Sequence, residues 1–394
     1  MLAALLAAGA FTPAAAIDQG GSVEVVADGY REDDPAFQGW LRAIYALDVA
    51  PSHALFVKVA GIFELDTHGD IRRDALYDET DRNLARAPLR FRDLLVGFRA
   101  GATTIAIGRQ RLTWKRTSFI NATDNLSPRD WTDPLDEARL SPWALDVKYE
   151  RDHFALEGAL VPRYAPSRLP QLNGRWLDIA PPGVDLTWGD AAFPPVSWNT
   201  LQAGIRGGYH VPKGEVRLSY FRGFDDAPRV ALNGTALDRT FVEVSVAGID
   251  GEVLVGPFTL RAEAAYFHFL SPDDGYGLYE IEGEWARSGW RVILAIADAV
   301  GGDPGSVAPA ALDLAFLPSA FIHVEKGEAT EWQVALDASI GTNEFDSLVR
   351  LSGSYPFAGH FRVGGDVSVL SGDPEGWGRW DANDRVRVFL RYDY

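Results

Sequence analysis

Apolar and polar side chains alternate along most of the chain between Gly21 and Tyr394. The final segment shows this clearly, because in it Val386, Val388, Leu390 and Tyr392 alternate with Arg385, Arg387, Arg391 and Asp393. Successive side chains of a β-strand point to opposite faces, whereas a helix repeats roughly every 3.6 residues. The pattern therefore predicts an all-β protein whose strands each have one apolar and one polar face.

Eighteen such segments can be counted, with sixteen strands as the alternative. Most have about the length that a tilted strand needs to cross a bilayer, roughly 9–11 residues. The segment 318–325 is included partly because the order of the connections requires a strand there. The predicted strands span 21–30, 38–50, 53–66, 88–100, 102–112, 142–151, 153–163, 199–210, 213–223, 238–254, 257–269, 276–286, 289–299, 318–325, 329–340, 344–356, 359–370 and 384–394.

The connections between these strands alternate in length. Short turns are predicted at Pro51-Ser52, Gly101, Arg151-Asp152, Pro212-Lys213, Gly256-Pro257, Ser288-Gly289, Lys326-Gly327 and Ala358. Long loops are predicted at 67–87, 113–141, 164–198, 224–237, 300–317 and 371–383. This alternation is typical of an outer-membrane barrel, which has short periplasmic turns and long extracellular loops.

Alternation alone does not decide which face meets the solvent, because a soluble exported β protein buries its apolar face. Several tryptophans and tyrosines lie toward strand ends, as interfacial girdles do, namely Trp143, Tyr149, Trp285, Trp290 and Tyr394. The last strand looks like the C-terminal signal of outer-membrane barrels, which predicts the barrel-assembly machinery as a partner. These features favour a transmembrane antiparallel β-barrel in the outer membrane over the soluble alternative.

Residues 1–16 form an apolar stretch that ends in Ala14-Ala15-Ala16. This predicts a signal peptide over 1–16 and a single barrel domain over 17–394, with an alanine-rich N-terminus as the alternative. The chain carries 55 acidic and 37 basic residues, a net charge of −18, and no cysteine. Nucleic acid is therefore excluded as an expected partner, as are disulfides and thiolate chemistry.

The polar face carries charges in two groups. A basic wall is predicted from strands at the two ends of the chain: Arg42, Lys58, Arg350, Arg362, Arg385, Arg387 and Arg391. A mostly acidic wall includes Glu243, Glu263, Glu280, Glu282 and Glu284. Because rings of arginine favour anions, one hypothesis is a channel for small polar anions such as carboxylates, sugar acids or oligosaccharides. The alternative is that these charges pair with one another and support the barrel.

The third outer loop, 113–141, has the position of an inward-folded constriction. Its oxygen-bearing residues suggest a Ca²⁺ site at Asp124, Asn125, Asp130 and Asp133, although the spacing of an EF-hand is absent. The same residue types are ordinary in turns. The sequence therefore predicts no metal site and no cofactor.

Four segments resemble porin-like outer-membrane proteins of the alginate-export type: 108–114 (GRQRLTW), 121–130 (NATDNLSPRD), 155–162 (ALEGALVP) and 166–170 (PSRLP). The resemblance implies a barrel of about 18 strands with an arginine-lined conduit for anionic polysaccharide. It also implies that Arg109, Gln110, Arg111 and Trp114 lie near the constriction. Alternation places Arg109 on the face of Ile105 and Ile107, so an inward Arg109 requires a bulge or a position at the rim.

Two other functions stay open, an outer-membrane hydrolase and an adhesin-like barrel with a closed lumen. A barrel hydrolase would need a histidine paired with an acid or a serine near the outer rim. His68, with Asp66, Asp70 and Asp74 nearby, is the best candidate, but a solvated acidic loop is the favoured interpretation, and no enzyme is predicted. Four outer-loop acids are candidates to bridge divalent cations to lipopolysaccharide, with simple solvation as the alternative: Asp33, Asp34, Asp78 and Asp81.

Overall fold

The computed structural model describes residues 16–31, 36–136, 138–172, 174–177, 179, 183–271, 273–302, 317–328, 330–342, 346–373 and 376–394. Its strands are β1 (Ala16–Tyr30), β2 (Phe37–Ala50), β3 (Leu55–Asp66), β4 (Leu89–Ala100), β5 (Thr103–Arg109), β6 (Arg129–Asp130), β7 (Ala138–Arg139), β8 (Trp143–Arg151), β9 (Phe154–Val161), β10 (Thr187–Ala192), β11 (Gln202–Val211), β12 (Gly214–Phe224), β13 (Arg229–Asn233), β14 (Ala236–Thr240), β15 (Glu243–Val255), β16 (Phe258–Leu270), β17 (Asp273–Arg287), β18 (Trp290–Val300), β19 (Ser319–Gly327), β20 (Gln333–Gly341), β21 (Ser347–Phe357), β22 (Phe361–Ser371) and β23 (Arg385–Asp393). Two short 3₁₀ helices span Trp198–Thr200 and Trp377–Asn383.

Within the described residues, eighteen of these strands form one sheet in which neighbours along the chain pair antiparallel. The sheet closes into a barrel because β1 pairs with β23, in a register that runs from Ser22↔Asp393 to Tyr30↔Arg385. Closure leaves no strand edge with unpaired backbone groups, which lipid could not satisfy. The predicted strand number is confirmed, and the segment 318–325 corresponds to β19.

The polar face of the strands points inward and the apolar face points outward. On β23, Val386 and Val388 are 52% and 56% exposed, whereas Arg385 between β22 and β1 is only 1% exposed. A soluble sandwich would show the opposite arrangement. The barrel therefore presents an apolar exterior to lipid, and the charged side chains lie in its interior.

Short turns join β2 to β3, β4 to β5, β8 to β9, β11 to β12, β15 to β16, β17 to β18, β19 to β20 and β21 to β22. The long loops lie at the opposite end of the barrel. The outer loops contain structure that the alternation did not predict. In particular, β10, β13 and β14 form a small three-stranded sheet outside the barrel, with β10 parallel to β14. In the part of the chain that is described, no helix is long and apolar enough to cross a membrane. The predicted signal peptide falls almost entirely outside the described residues.

Candidate pore constriction

The segment between β5 and β8, residues 110–142, folds into the barrel and is called the constriction loop below. Carboxylates of β16 and β17 hold its first half. Glu280 accepts the backbone N–H groups of Phe119 at 3.2 Å and of Ile120 at 2.5 Å. Glu282 accepts the N–H of Ser118 at 2.9 Å. These two carboxylates are almost fully buried, so this part of the acidic wall binds loop backbone instead of facing open water.

A third carboxylate, Glu263 of β16, completes this support. It accepts the backbone N–H of Arg116 at 3.0 Å and the hydroxyls of Thr117 and Thr123 at 2.5 and 2.6 Å. A carboxylate that accepts several hydrogen bonds in a buried place is well satisfied. The loop therefore has a fixed path along the β15–β17 side of the barrel.

The second half of the constriction loop binds the opposite wall. Arg387 donates to both oxygens of Asp136 at 2.7 Å and to Asp28 of β1 at 2.6 and 2.8 Å. Arg385 donates to Asp133 at 2.9 Å. Arg385 and Arg387 of β23 are thus engaged in buried ion pairs. Burial opposes ionisation of Asp136, but Arg387 and Arg385 hold the pKa of that carboxyl below its ordinary value.

Asp130 connects three outer loops through ion pairs. Arg86 donates to both of its oxygens, at 2.9 and 3.2 Å, and Arg168 donates at 3.0 Å. Burial alone would raise the pKa of Asp130, but the two guanidinium groups hold it well below the usual range. Asp130 therefore stays ionised and joins the constriction loop to the segments on either side of it.

The predicted Ca²⁺ group does not come together. Asp130 and Asp133 are bound by arginines as described, and Asp124 accepts the backbone N–H of Trp114 at 3.0 Å. Asn125 donates to the carbonyl of Ala122. These side chains support the loop, as ordinary turn residues do.

The GRQRLTW segment enters the barrel through a sharp change of backbone direction at Gly108, whose φ is +141°. A Cβ at this position would lie 2.2 Å from the carbonyl oxygen of Leu94, so only glycine fits. The change turns Arg109 inward, where it is 3% exposed. It pairs with Asp81 and donates to the hydroxyl of Tyr77 at 2.8 Å.

The other residues of this segment have different surroundings. Gln110 is buried and donates to the carbonyl of Ala144 at 3.2 Å. Trp114 is 1% exposed and packs against Gly204 of β11. Arg111 is exposed and lines a cavity. Arg109, Gln110 and Trp114 thus fix the loop, and Arg111 is the member of the set that reaches solvent.

That cavity, called the arginine cavity below, has a volume of about 360 Å³ and lies between the constriction loop and strands β2–β5. Three carboxylates line it, those of Glu64, Asp81 and Asp136. Eight arginines line it: Arg42, Arg86, Arg90, Arg92, Arg109, Arg111, Arg139 and Arg350. Glu64 is 1% exposed and accepts from Arg42 at 2.5 Å and from Arg90. Four other lining arginines pair with carboxylates outside the lining, namely Asp93, Asp124, Asp130 and Asp366, which leaves Arg111 without an ion pair among the described residues.

Sequence reasoning did not select Arg90 and Arg92 as lumen residues. The pairing of β3 with β4 shifts register between Ala60 and Gly61. Ala60 pairs with Asp93 and Gly61 pairs with Phe91, so Arg92 has no partner residue on β3. Such a bulge breaks the two-residue alternation, so parity could not assign these side chains to a face. Arg139 was missed because it follows a loop path that has no period.

A second cavity of about 330 Å³ adjoins the first, and Leu135 and Arg350 line both. It is called the aromatic cavity below, because its lining includes Phe119, Trp131, Phe321 and Trp377. Phe119 and Phe321 stack with ring centroids 4.7 Å apart, and Trp377 donates from its indole to the hydroxyl of Ser339. Arg350 donates to Asp366 at 2.9 Å and to the carbonyl of Leu135 at 3.3 Å.

The remaining predicted lumen residues lie away from the constriction and have local partners. Four of them lie toward the end of the barrel with the short turns. There Lys58 pairs with Asp48, Arg362 donates to Ser354, Arg391 pairs with Asp393, and Glu284 pairs with Arg261 and Arg291. Glu243 pairs with Arg222 at the loop end. A role for these residues in lining a pore stays a prediction.

Two outer-loop acids predicted to bridge cations to lipopolysaccharide have partners within the protein. Asp81 pairs with Arg109 and Arg168. Burial opposes ionisation of Asp78, but hydrogen bonds from Asn83 and Thr80 lower the pKa of Asp78 below its ordinary value. Both are buried, and the bridging of cations to lipopolysaccharide stays a prediction. The residues Asp33 and Asp34 lie outside the described part of the chain.

The architecture is similar to that of solved porins. A BenF-like porin from Pseudomonas fluorescens matches with a TM-score of 0.57 at 11% identity, over 98% of this chain and 99% of that one. The outer membrane protein OpdK from Pseudomonas aeruginosa matches with a TM-score of 0.55 at 10% identity, over 98% and 100%. The chain has the fold of an outer-membrane porin.

A third similar structure, OccD3 from Pseudomonas aeruginosa, gives a TM-score of 0.54 at 12% identity, over 95% of this chain and 91% of that one. No protein-family model and no curated protein matches the sequence. The resemblance to the alginate-export type therefore stays a hypothesis, and the broader expectation of a porin barrel in the outer membrane is the part that the fold supports.

Proposed function

We propose that this protein is a porin-like channel that carries small anionic solutes, such as carboxylates and sugar acids, across the outer membrane. The observation that carries this proposal is the arginine cavity, whose lining holds eight arginines and three acids in a chain with a net charge of −18. Seven of these arginines pair with carboxylates of the lining or just outside it, and Arg111 forms no ion pair with a described residue. Guanidinium groups bind carboxylates through paired hydrogen bonds, which suits them to anion passage.

Arg111 is the residue best placed to meet a solute. Among the described residues it forms no ion pair, and its side chain is exposed in the arginine cavity. Arg42 and Arg90, in contrast, share Glu64. A free guanidinium attracts an anion without first breaking an internal pair, which lowers the cost of binding.

The aromatic cavity extends the same path. Because Arg350 lines both cavities, a solute with a ring beside its anionic group fits both, the ring against Phe119 and Trp131 and the anion against Arg350. Sugar acids have this shape. Outer-membrane lipid and the barrel-assembly machinery are the macromolecular partners that the proposal implies.

Recordings in planar bilayers test this proposal. With a tenfold KCl gradient across the membrane, the reversal potential of the wild-type channel should have the sign of chloride preference, and sugar acids should block the current. A clear potassium preference would overturn the anion channel. Absence of any conductance from correctly folded protein would favour the closed, adhesin-like barrel.

The hydrolase alternative is weaker. His68 faces Asp66 and Asp70 through its Nε2 atom, and its Nδ1 atom has no hydrogen-bond partner. Among the described residues, no serine hydroxyl is hydrogen-bonded to this histidine, as a nucleophile would be.

A further inference from the structure

We infer that the loop end of β3 forms a binding site for a divalent transition metal, with Asp66, His68 and Asp70 as ligands and Zn²⁺ as the best-matched ion. One ligand atom from each residue lies within 4.8 Å of the other two. The Nε2 atom of His68 is 3.1 Å from Asp70 Oδ2 and 3.4 Å from Asp66 Oδ2. In this arrangement a metal ion takes the place of the imidazole proton.

The local backbone keeps the three residues together. Asp66 is the last residue of β3, and its Oδ2 accepts the backbone N–H groups of Asp70 at 2.6 Å and Ile71 at 3.1 Å. These two hydrogen bonds hold the turn 66–71 against the Asp66 carboxylate. Thr67 exchanges hydrogen bonds with Gly39 of β2, which fixes the turn to the barrel rim.

The site contains buried polar atoms that lack partners. The side chains of Asp66 and His68 are 0% and 5% exposed. Asp66 Oδ1 and His68 Nδ1 are both buried, and neither has a hydrogen-bond partner in the described part of the chain. A buried carboxylate oxygen without a partner is costly, and a cation bound to the same carboxylate would offset that cost.

The surrounding charges point the same way. Within the described residues, neither Asp66 nor Asp70 forms an ion pair with a lysine or an arginine. Arg86, which lies on the same loop, pairs with Asp130. Two carboxylates thus share one histidine, which leaves room for an additional positive charge.

The ligand types select the class of metal. One imidazole nitrogen and two carboxylate oxygens suit Zn²⁺ and neighbouring transition metals, with water completing the coordination. Ca²⁺ and Mg²⁺ prefer ligand sets made of oxygen alone. The indole of Trp40 packs edge-on against the His68 ring with centroids 4.6 Å apart, which limits rotation of the ring.

Metal titration of the full chain, folded in detergent, tests the inference. Co²⁺ should produce a visible absorption band that saturates at one ion per chain, and Zn²⁺ should displace it. His68→Gln and Asp70→Asn should each weaken Zn²⁺ binding at least about tenfold in calorimetric titration. The matched control is Asp74→Asn, which lies on the same loop but pairs with Arg72 and should bind Zn²⁺ as the wild type does.

Two results would overturn the site. In the first, the wild-type protein gives no saturable Co²⁺ band. In the second, the His68→Gln and Asp70→Asn proteins bind Zn²⁺ as tightly as the Asp74→Asn protein does. Either variant alone is sufficient if the other does not fold. Tighter binding of Ca²⁺ than of Zn²⁺ would also contradict the assignment, because it would show a site made of oxygen ligands.

Discussion

The carboxylate of Glu280 accepts the backbone N–H of Ile120 at 2.5 Å, although 160 residues separate the two in sequence. Glu280 belongs to the barrel wall and Ile120 to the constriction loop. The contact shows that the loop is held by the wall through its backbone, so the identity of the loop side chains matters less here than the presence of the acceptor.

Glu280→Gln should loosen the constriction loop. The amide keeps one acceptor oxygen, but its NH₂ group faces a backbone N–H, which leaves a buried donor unsatisfied at a cost of about 1–3 kcal/mol. We expect a lower melting temperature and faster trypsin cleavage after Lys115, which is exposed on this loop. Glu328→Gln, in an exposed short turn, is the control and should match the wild type. Equal cleavage rates would argue against this anchoring.

Gly204→Ala should displace Trp114. A Cβ at position 204 would lie 2.6 Å from the indole ring, too close for the loop to keep its path. Overpacking of this kind costs about 1–3 kcal/mol. Gly207→Ala on the same strand is the matched control, because its Cβ would meet Leu156 at an ordinary 3.9 Å. Thermal unfolding in detergent should separate the two variants, and a Gly204→Ala protein as stable as Gly207→Ala would contradict this packing.

Arg111→Gln should reduce chloride preference while the barrel stays intact. The substitution removes an exposed positive charge from the arginine cavity and breaks no ion pair of the described residues. The reversal potential in a KCl gradient should move toward zero. Arg151→Gln, in an exposed short turn, removes the same charge at a distance and should leave the potential unchanged. Equal shifts in both variants would indicate a general charge effect.

Asp130→Asn should destabilise the protein in a manner that depends on pH. Arg86 and Arg168 hold the pKa of Asp130 well below that of an unfolded aspartate, so the carboxylate stabilises the fold at neutral pH. This contribution is lost as pH falls from the ordinary pKa, about 3.9, through the lower folded value. Melting temperatures should therefore differ most at pH 7 and converge toward pH 2. A difference that does not change with pH would refute the ion-pair role.

The barrel itself could be predicted because its strands repeat every two residues. The alternation on β23 placed Arg385 and Arg387 inward and Val386 and Val388 outward, and the structure has the same arrangement. Closure by β1 and β23 follows from the absence of hydrogen-bonding partners in lipid.

The constriction could be predicted only in part. The sequence analysis selected Arg111 and Arg350 as lumen residues. It did not select Arg92, because the bulge beside Gly61 interrupts the two-residue alternation. The turn at Gly108 places Arg109 on the face opposite to the one that alternation predicts. The partners of the constriction loop are distant in sequence, so no local pattern shows that Glu280 binds backbone. The number and sign of the charges on a strand do not show whether a carboxylate such as Glu280 is buried against loop backbone or lines a water-filled pore.

Cysteine labelling tests the orientation of the barrel and the path of its solute together, because the native chain contains no cysteine. A negatively charged, water-soluble methanethiosulfonate should react with Arg111→Cys in a bilayer and reduce the current. The same reagent should leave Val388→Cys unmodified, since that side chain faces lipid. Rapid labelling of Val388→Cys, or full labelling of Arg111→Cys without any change in current, would contradict the account.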